Sequence, residues 1–117
     1  MACEHPGSYV VLITSNTLGK GDNNFGSGLM RSFLNSLWDN DSIPSSIFFL
    51  NSGVKLTCKG SNVLDTLNWL EKAGVTISSC KTSLTDYVLT SQLVVGSPKE
   101  MYEIVESMLS ASKVITI

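Results

Sequence analysis

Two stretches of the sequence are apolar at nearly every position: Tyr9–Thr14 (YVVLIT) and Ile47–Leu50 (IFFL). A strand with one wet face alternates apolar and polar residues, whereas an uninterrupted apolar run is typical of a strand covered on both faces. Such strands occur mainly in parallel sheets that carry helices on each side. The two runs therefore predict an α/β domain, and this limits what the rest of the chain can form.

The remaining pattern alternates strands and helices. Apolar residues from Phe25 to Trp38 fall at helical spacing, and Asp22, Asn23 or Asn24 can cap that helix. Gly74 stands where a left-handed residue would end the helix that follows Asn62. Further strands are predicted at Val75–Ser79, Leu93–Val95 and Val114–Ile117.

The segment Ser97–Glu100 carries the clearest helix-start signal. Ser97 is predicted to cap the helix, Pro98 to take its first position and Glu100 to complete a capping box. The apolar residues that follow are expected to form one buried face: Met101, Ile104, Val105, Met108 and Leu109. The whole pattern predicts five strands in a mainly parallel sheet with helices on both faces.

Composition limits the size and the partners of this domain. The chain has 117 residues, of which 43% are hydrophobic and 15% are charged. A typical soluble domain carries about 25% charged residues, so we expect part of the surface to be buried against another subunit. Residues 1–8 are expected to be a flexible start and residues 9–117 a single domain.

Charge and cysteine content disfavour several classes of function. The net charge is −2, and no basic run is present to replace the counterions of a nucleic acid or to meet an anionic membrane. No apolar run approaches the roughly 20 residues of a membrane span. Three cysteines are too few and too scattered for a disulfide framework, which favours a reducing, cytoplasmic setting.

Three loops are predicted to meet at the carboxyl edge of the sheet, where ligands bind in such folds: Ser15–Asn24, Asn51–Ser61 and Cys80–Tyr87. In the first loop, Gly19 and Gly21 allow either close backbone approach to a ligand or a plain tight turn. Asn24 stands where a dinucleotide fingerprint would need its third glycine. In the second loop, Lys55 either places a positive charge over the strand ends or is an ordinary solvent-exposed side chain of the loop.

Cys80 follows the third strand directly, and two interpretations of it stay open. Buried cysteines are common and inert. A thiol at a strand exit, before a possible short helix and near lysines, is instead favoured as the reactive thiolate. On the second interpretation we expect Cys80 to face solvent or a pocket. His5 is the single histidine, so neither a metal site nor a histidine-assisted nucleophile is indicated.

Several segments in the right order resemble the DsrE-like family, over about Tyr9 to Ile117. They are SNTLGKGDNNFGSGLMRSF, FFLNSGVKLTCKGSNVLDTLNWLEKAGV, CKTSL and VVGSPKEMYEIVESMLSASKVITI. The chain is most similar to the C-terminal domain of YedF, a sulfurtransferase-like selenium metabolism protein. The resemblance implies a three-layer α/β/α fold with a five-stranded sheet, often assembled as trimers or hexamers. It also implies sulfur-relay chemistry, in which a strand-end cysteine carries sulfane sulfur as a persulfide.

Cys80 falls on the family's cysteine position, but two neighbours depart from the YedF pattern Cys-Gly-Thr-Cys-Leu. Lys81 replaces the glycine, and Ser83 replaces the second cysteine. The chain is also expected to lack the TusA-like domain that precedes this one in YedF. Release of sulfur through an internal disulfide with position 83 is then not expected, and an intramolecular bond would need Cys58.

The leading hypothesis is a small cytoplasmic sulfur carrier or sulfurtransferase-like protein with Cys80 as acceptor. It would need no metal or cofactor, form a trimer or a multiple of one, and exchange sulfur with a donor or acceptor protein. The alternative is a non-catalytic module that binds a small anionic ligand or nucleotide at the strand carboxyl ends. The residues expected to shape the binding site are Gly19, Gly21, Asn51, Gly53, Lys55, Thr82 and Ser83.

Overall fold

The computed structural model describes residues 8–117. Of the predicted flexible start, only Ser8 lies within the described residues. Cys3 and His5 lie outside them. Ser8 itself is paired with Ser112, whose backbone N–H donates to the Ser8 carbonyl at 3.1 Å.

Five strands and four α-helices make up the described chain. The strands are β1 (Tyr9–Ile13), β2 (Ser46–Phe49), β3 (Thr76–Cys80), β4 (Ser97–Lys99) and β5 (Lys113–Thr116). The helices are α1 (Asn23–Asp39), α2 (Leu64–Lys72), α3 (Lys81–Asp86) and α4 (Met101–Ser110), with 3₁₀ helices at Asn51–Thr57 and Thr90–Gln92. The alternation confirms the order of strands and helices that the apolar runs predict.

The strands form one sheet in the order β4-β3-β2-β1-β5, and all four neighbouring pairs are parallel. The chain moves stepwise from β1 to β4 and then returns through α4 to the far side of β1. Buried side chains of α1, α2 and α3 join one face of the sheet, and Ile104 of α4 joins the other. This arrangement confirms the three-layer α/β/α fold.

Alternation along the strands explains the two cores. Val11 and Ile13 of β1 point into the cluster beneath α1 and α2, while Val10 and Leu12 point into the cluster beneath α4. In β2, Phe49 belongs to the first cluster and Phe48 to the second. Because both faces are covered, every residue of β1 after Tyr9 is buried, as the uninterrupted apolar run predicts.

The predicted fourth strand was wrong. Leu93–Val95 is not part of the sheet, and within the described residues its backbone pairs only through an isolated bridge between Leu93 and Cys58 and through hydrogen bonds to Thr57. The chain turns at Gly96, whose φ is +78°, and pairs with β3 only from Ser97 onward. Proline is tolerated in this strand because β4 lies at the sheet edge.

The predicted start of the last helix was also wrong, because Ser97 and Pro98 are needed in β4. The cap of α4 is Glu100, and the box is completed by Glu103, whose side chain accepts from the Glu100 N–H at 3.1 Å. The structure confirms two predictions about the ends of the first two helices. Asp22 caps α1 by accepting from the Phe25 N–H at 2.8 Å, and Gly74 has φ +105°.

Two predicted apolar helix faces are only partly buried. In α1, Met30 and Leu34 enter the core, but Phe25 is 69% exposed. In α4, Ile104 is the fully buried side chain, while Leu109 is 81% exposed. The remaining apolar side chains of α4 that stay at least 40% exposed are Met101, Tyr102 and Val105. The described chain therefore leaves an apolar surface on α4.

Val88 ends α3 in a conformation that suits glycine better. Its φ is +56° and its side chain is 84% exposed, while the Leu89 N–H donates to the Leu84 carbonyl at 2.8 Å to close the helix end. A left-handed conformation costs an L-residue about 1–2 kcal/mol, and glycine avoids this cost but gains flexibility in the unfolded chain.

We therefore expect Val88→Gly to raise the free energy of unfolding by about 1 kcal/mol, measured by urea denaturation. Val94→Gly is the control, because Val94 is also an exposed valine but has no positive φ. Val94→Gly should not stabilise the protein. Equal effects of the two substitutions would contradict strain at Val88.

Candidate functional site

The carboxyl ends of β1 and β2 approach each other closely. The Leu50 N–H donates to the Ile13 carbonyl at 2.9 Å, and the chain then enters the 3₁₀ helix Asn51–Thr57. A Cβ on Gly53 would lie 2.4 Å from that Ile13 oxygen, so only glycine fits there. Gly53 therefore has a structural role, because it lets the loop after β2 pack against the end of β1.

Asn51 is the centre of a polar network at this edge. Its backbone is left-handed, with φ +53°, and its N–H donates to the Ser83 Oγ at 2.8 Å. The Tyr87 hydroxyl donates to the Asn51 Oδ1 at 3.0 Å, and the Lys55 Nζ lies 5.0 Å from the centre of the Tyr87 ring. The structure thus brings together three of the predicted binding residues.

Sequence reasoning missed Tyr87 as a member of this network. It lies just after α3, where nothing in its spacing distinguishes it from other half-buried aromatic residues. The signal that could have found it is chemical: a tyrosine near a lone loop lysine can offer its ring to the ammonium group.

Gly19 and Gly21 lie apart from the Asn51 network, in the exposed loop between β1 and α1. Their φ values are +79° and +145°, and open space surrounds the position of a Cβ at both. The Thr17 hydroxyl donates to the Gly19 carbonyl at 3.2 Å. These angles are sufficient reason for glycine at both positions, since side chains rarely adopt them.

Cys80 ends β3 and immediately precedes α3, as predicted. The expectation that it faces solvent or a pocket was wrong, because Cys80 is only 3% exposed. The strand continues one residue further than predicted, and alternation places Cys80 on the same face as Ser78. There it joins the cluster beneath α4, which includes Phe48 and Ile104.

An exposed ion pair lies across the ends of β3 and β4, next to Cys80. The Lys81 Nζ is 3.3 Å from a Glu100 carboxylate oxygen, and both side chains are about 60% exposed. Together with Thr82, these residues line a shallow cleft of about 340 Å³. An exposed pair of this kind stabilises a fold by about 1 kcal/mol at most, so separating the two side chains at the end of β3 costs little free energy.

Ser78 is an unusual neighbour of Cys80. It is fully buried, and within residues 8–117 its Oγ has no hydrogen-bond partner. It lies two residues before Cys80 on the same strand and the same face of the sheet. The apolar layer beneath α4 therefore contains one uncompensated hydroxyl close to the thiol.

Cys58 occupies the opposite core and is 1% exposed. Its thiol donates to the Val54 carbonyl at 3.2 Å. Burial raises the pKa of the Cys58 thiol, and a hydrogen bond with Thr57 offsets part of that rise. Both Cys58 and Cys80 are free thiols, and their side chains point to opposite faces of the sheet. This orientation disfavours a disulfide between them.

The raised pKa of Cys58 predicts a stability that falls in alkaline solution. Above the ordinary thiol pKa of about 8.5, the unfolded chain releases its proton while the folded chain retains it, so stability decreases as pH rises toward the folded pKa. The slope reaches at most about 1.4 kcal/mol per pH unit for one proton.

We expect Cys58→Ala to reduce this loss of stability between neutral pH and pH values above the ordinary thiol pKa. Urea midpoints measured across that range check the prediction. The pKa of Tyr9 is also raised by burial, but this contribution is common to both proteins and cancels in the difference. Parallel pH profiles would contradict the assigned role of Cys58.

A cavity of about 500 Å³ lies on the side of the sheet that carries α1 and α2. Its lining includes Asn16, Ser27, Lys55, Lys59 and Tyr87. Cys80 is not among the lining residues. The predicted site therefore divides into a strand-end thiol beneath α4 and a lysine-lined cavity on the opposite side.

Neither a metal centre nor a membrane span is found in the described part of the chain. Within residues 8–117, no three His, Cys, Asp or Glu side chains are grouped so that they could hold a metal ion. In the same range, no helix is both long enough and apolar enough to cross a membrane.

Comparison with protein families decides the relationship. The profile of the DsrE/DsrF-like family matches residues 8–117. The chain belongs to the DsrE/DsrF-like family. A special closeness to YedF stays a prediction, because the family match does not distinguish its branches.

Solved structures show the same fold at low sequence identity. The ychN protein from E. coli is 20% identical with a TM-score of 0.68, and the match covers 93% of this chain and 98% of that one. The protein of unknown function MTH1491 from Methanobacterium thermoautotrophicum is 18% identical with a TM-score of 0.69, over 93% and 97% of the two chains. No curated protein matches the sequence.

Proposed function

We propose that this protein carries sulfane sulfur on Cys80 as a persulfide and passes it to a thiol of another molecule. The observation that carries the proposal is the position of Cys80. In a DsrE/DsrF-like chain, it is the last residue of a central strand and the residue that precedes a helix.

The proposed transfer involves two exchanges of a thiolate. The Cys80 thiolate attacks the outer sulfur of a donor persulfide, the donor's sulfur–sulfur bond breaks, and the donor leaves as a thiolate. A thiolate of the acceptor then attacks the outer sulfur on Cys80, and Cys80 is released as a thiolate. The two steps balance without an added oxidant or reductant. The cytoplasm, where thiols stay reduced, is the proposed setting.

Burial of Cys80 makes access part of the proposed mechanism. The thiol is covered by α4, where Ile104 packs in the same cluster. The Lys81–Glu100 ion pair lies beside it and is exposed, so separating these side chains costs little. We propose that the donor reaches Cys80 when the start of α4 moves aside, and that burial otherwise shields the thiol.

The residue at position 83 supports transfer to a separate molecule. Ser83 has no thiol, and its hydroxyl accepts from the Asn51 N–H. Cys58 points to the opposite face. Within residues 8–117, neither position offers a resolving thiol to a Cys80 persulfide, which supports transfer to a thiol of another molecule.

Intact-protein mass spectrometry after exposure to a small-molecule persulfide donor tests the proposal. We expect the mass of one added sulfur atom, located by peptide mapping on the segment that contains Cys80. Dithiothreitol should remove it and release sulfide. Sulfur located on Cys58 alone, or no added sulfur, would contradict the proposal.

We also propose that the protein forms a homo-oligomer, as a trimer or a multiple of one. The support is the apolar surface of α4, formed by Met101, Tyr102, Val105 and Leu109, which a second copy would cover. The low fraction of charged residues, 15%, is consistent with surface buried in an assembly.

Leu109→Glu should therefore lower the mass measured by light scattering during size exclusion. Leu109 is 81% exposed, so the change places a charge in the proposed interface without disturbing the core. Val94→Glu is the control, because Val94 is an exposed valine outside α4. A monomeric unaltered protein at dilute concentration would refute the proposed assembly.

A further inference from the structure

The lysine-lined cavity has a volume suited to a small molecule. Its volume of about 500 Å³ falls within the range of roughly 300–1,000 Å³ typical of ligand pockets. It lies between the loop after β1, the start of α1, the segment after β2 and the residues that follow α3. Three separate loops therefore converge on one concave surface.

All the charged side chains that line the cavity are positive. Lys55 and Lys59 are its charged lining residues, and no carboxylate lines it. Within residues 8–117, neither lysine forms a salt bridge; the ion pairs there are Lys81–Glu100 and Lys99–Glu103. Among the described residues the two ammonium groups therefore have no acidic partner, and an anionic ligand can supply one.

Lys55 is held in place by residues that the proposed sulfur chemistry does not use. Its Nζ lies 5.0 Å from the Tyr87 ring centre, and Tyr87 is fixed by donating to the Asn51 Oδ1 at 3.0 Å. The half-buried Leu89 and the buried Leu56 add apolar surface to the lining. The cavity thus combines a positioned positive charge with an apolar wall.

We propose that this cavity binds a small organic anion, with a phosphate or carboxylate group on Lys55 and Lys59 and an apolar group against Leu56 and Leu89. Asn16 and Ser27 lie on the cavity lining and supply hydrogen-bonding groups for the polar part of the ligand. The site is separate from Cys80, which packs in the core on the opposite face of the sheet. Binding of an anion in this cavity is therefore a function additional to the proposed sulfur transfer.

Phenyl phosphate is a suitable probe because it joins a dianion to an apolar ring. Titration followed by amide chemical shifts should show saturable binding with changes at Lys55, Lys59 and Tyr87. Inorganic phosphate tests the anion alone, and phenol tests the ring alone. We expect both to bind more weakly than phenyl phosphate.

The decisive comparison uses two double variants of equal net charge. Lys55→Met with Lys59→Met should weaken phenyl phosphate binding by about tenfold or more, because two charge-assisted contacts are lost. Lys72→Met with Lys113→Met should not weaken it. The second pair is a close match, because the Lys113 Nζ lies 5.0 Å from the Tyr9 ring centre, as Lys55 does from Tyr87. Cys80→Ala should bind the probe unchanged.

Three results would overturn the proposal. The first is equal weakening in both double variants, which would show general surface attraction. The second is chemical-shift changes located away from the cavity, and the third is no binding of phenyl phosphate at millimolar concentration. Lys55→Arg, which keeps the charge, should retain most of the affinity, and unchanged amide shifts away from the cavity in the methionine variants should show that their loss of binding is not a folding defect.

Discussion

Replacing Cys80 with alanine should leave a folded protein that takes up no sulfur from a persulfide donor. The thiol is the proposed acceptor, so its removal abolishes loading rather than slowing it. The substitution removes one small buried atom from the cluster beneath α4, and a moderate loss of stability is expected. Intact mass after donor treatment, together with thermal unfolding, measures both effects.

Cys58→Ala is the matched control for this experiment. Both cysteines are almost fully buried, at 1% for Cys58 and 3% for Cys80, and both are free thiols. The raised pKa of Cys58 disfavours its thiolate, and Cys58 lacks the strand-end position of Cys80, so we expect Cys58 to take up no sulfur. The Cys58 variant should therefore load sulfur as the unaltered protein does. Loss of loading in both variants, or in the Cys58 variant alone, would exclude Cys80 as the sole acceptor.

Gly53→Ala should destabilise the fold by about 3 kcal/mol, a large fraction of the stability of a small domain. The new Cβ would lie 2.4 Å from the Ile13 carbonyl oxygen and 3.2 Å from its carbonyl carbon. Both are backbone atoms of the buried strand β1, so neither can move without disturbing the sheet. Urea denaturation measures the effect directly.

Gly28→Ala provides the opposite control. Gly28 lies within α1, and nothing lies within 4 Å of the position of its Cβ. Alanine is favoured over glycine in a helix by about 0.5–1 kcal/mol, so this variant should be more stable than the unaltered protein. If the two alanine substitutions shift the urea midpoint in the same direction, the contact between Gly53 and Ile13 is not the determining factor.

The errors in the predicted elements have one physical cause. Leu93–Val95 has the composition of a strand, but the sheet edge is completed by Ser97–Lys99. Gly96 lies close enough to the Ile77 carbonyl that a Cβ would stand 2.4 Å from its oxygen. This contact across the chain sets where pairing with β3 begins, and local propensity carries no information about it.

The candidate site was predicted as a set of loops, and the structure brings only some of its residues into contact. Asn51, Lys55 and Ser83 are connected through short contacts that include Tyr87. Gly19 and Gly21 lie outside that network in an exposed loop. The spacing of loops along a parallel sheet predicts which edge they share, but their side chains are arranged by turns and caps that depend on distant partners.

The sequence by itself determined the α/β class, the parallel sheet and the location of Cys80 at a strand end. These follow from continuous apolar runs and from the alternation of strand and helix signals, which are properties of neighbouring residues. Only the tertiary structure decided that Cys80 is buried beneath α4 and that Lys55 and Lys59 line a separate cavity. Burial depends on which helix crosses which face of the sheet, and that is settled by packing between residues far apart in the chain.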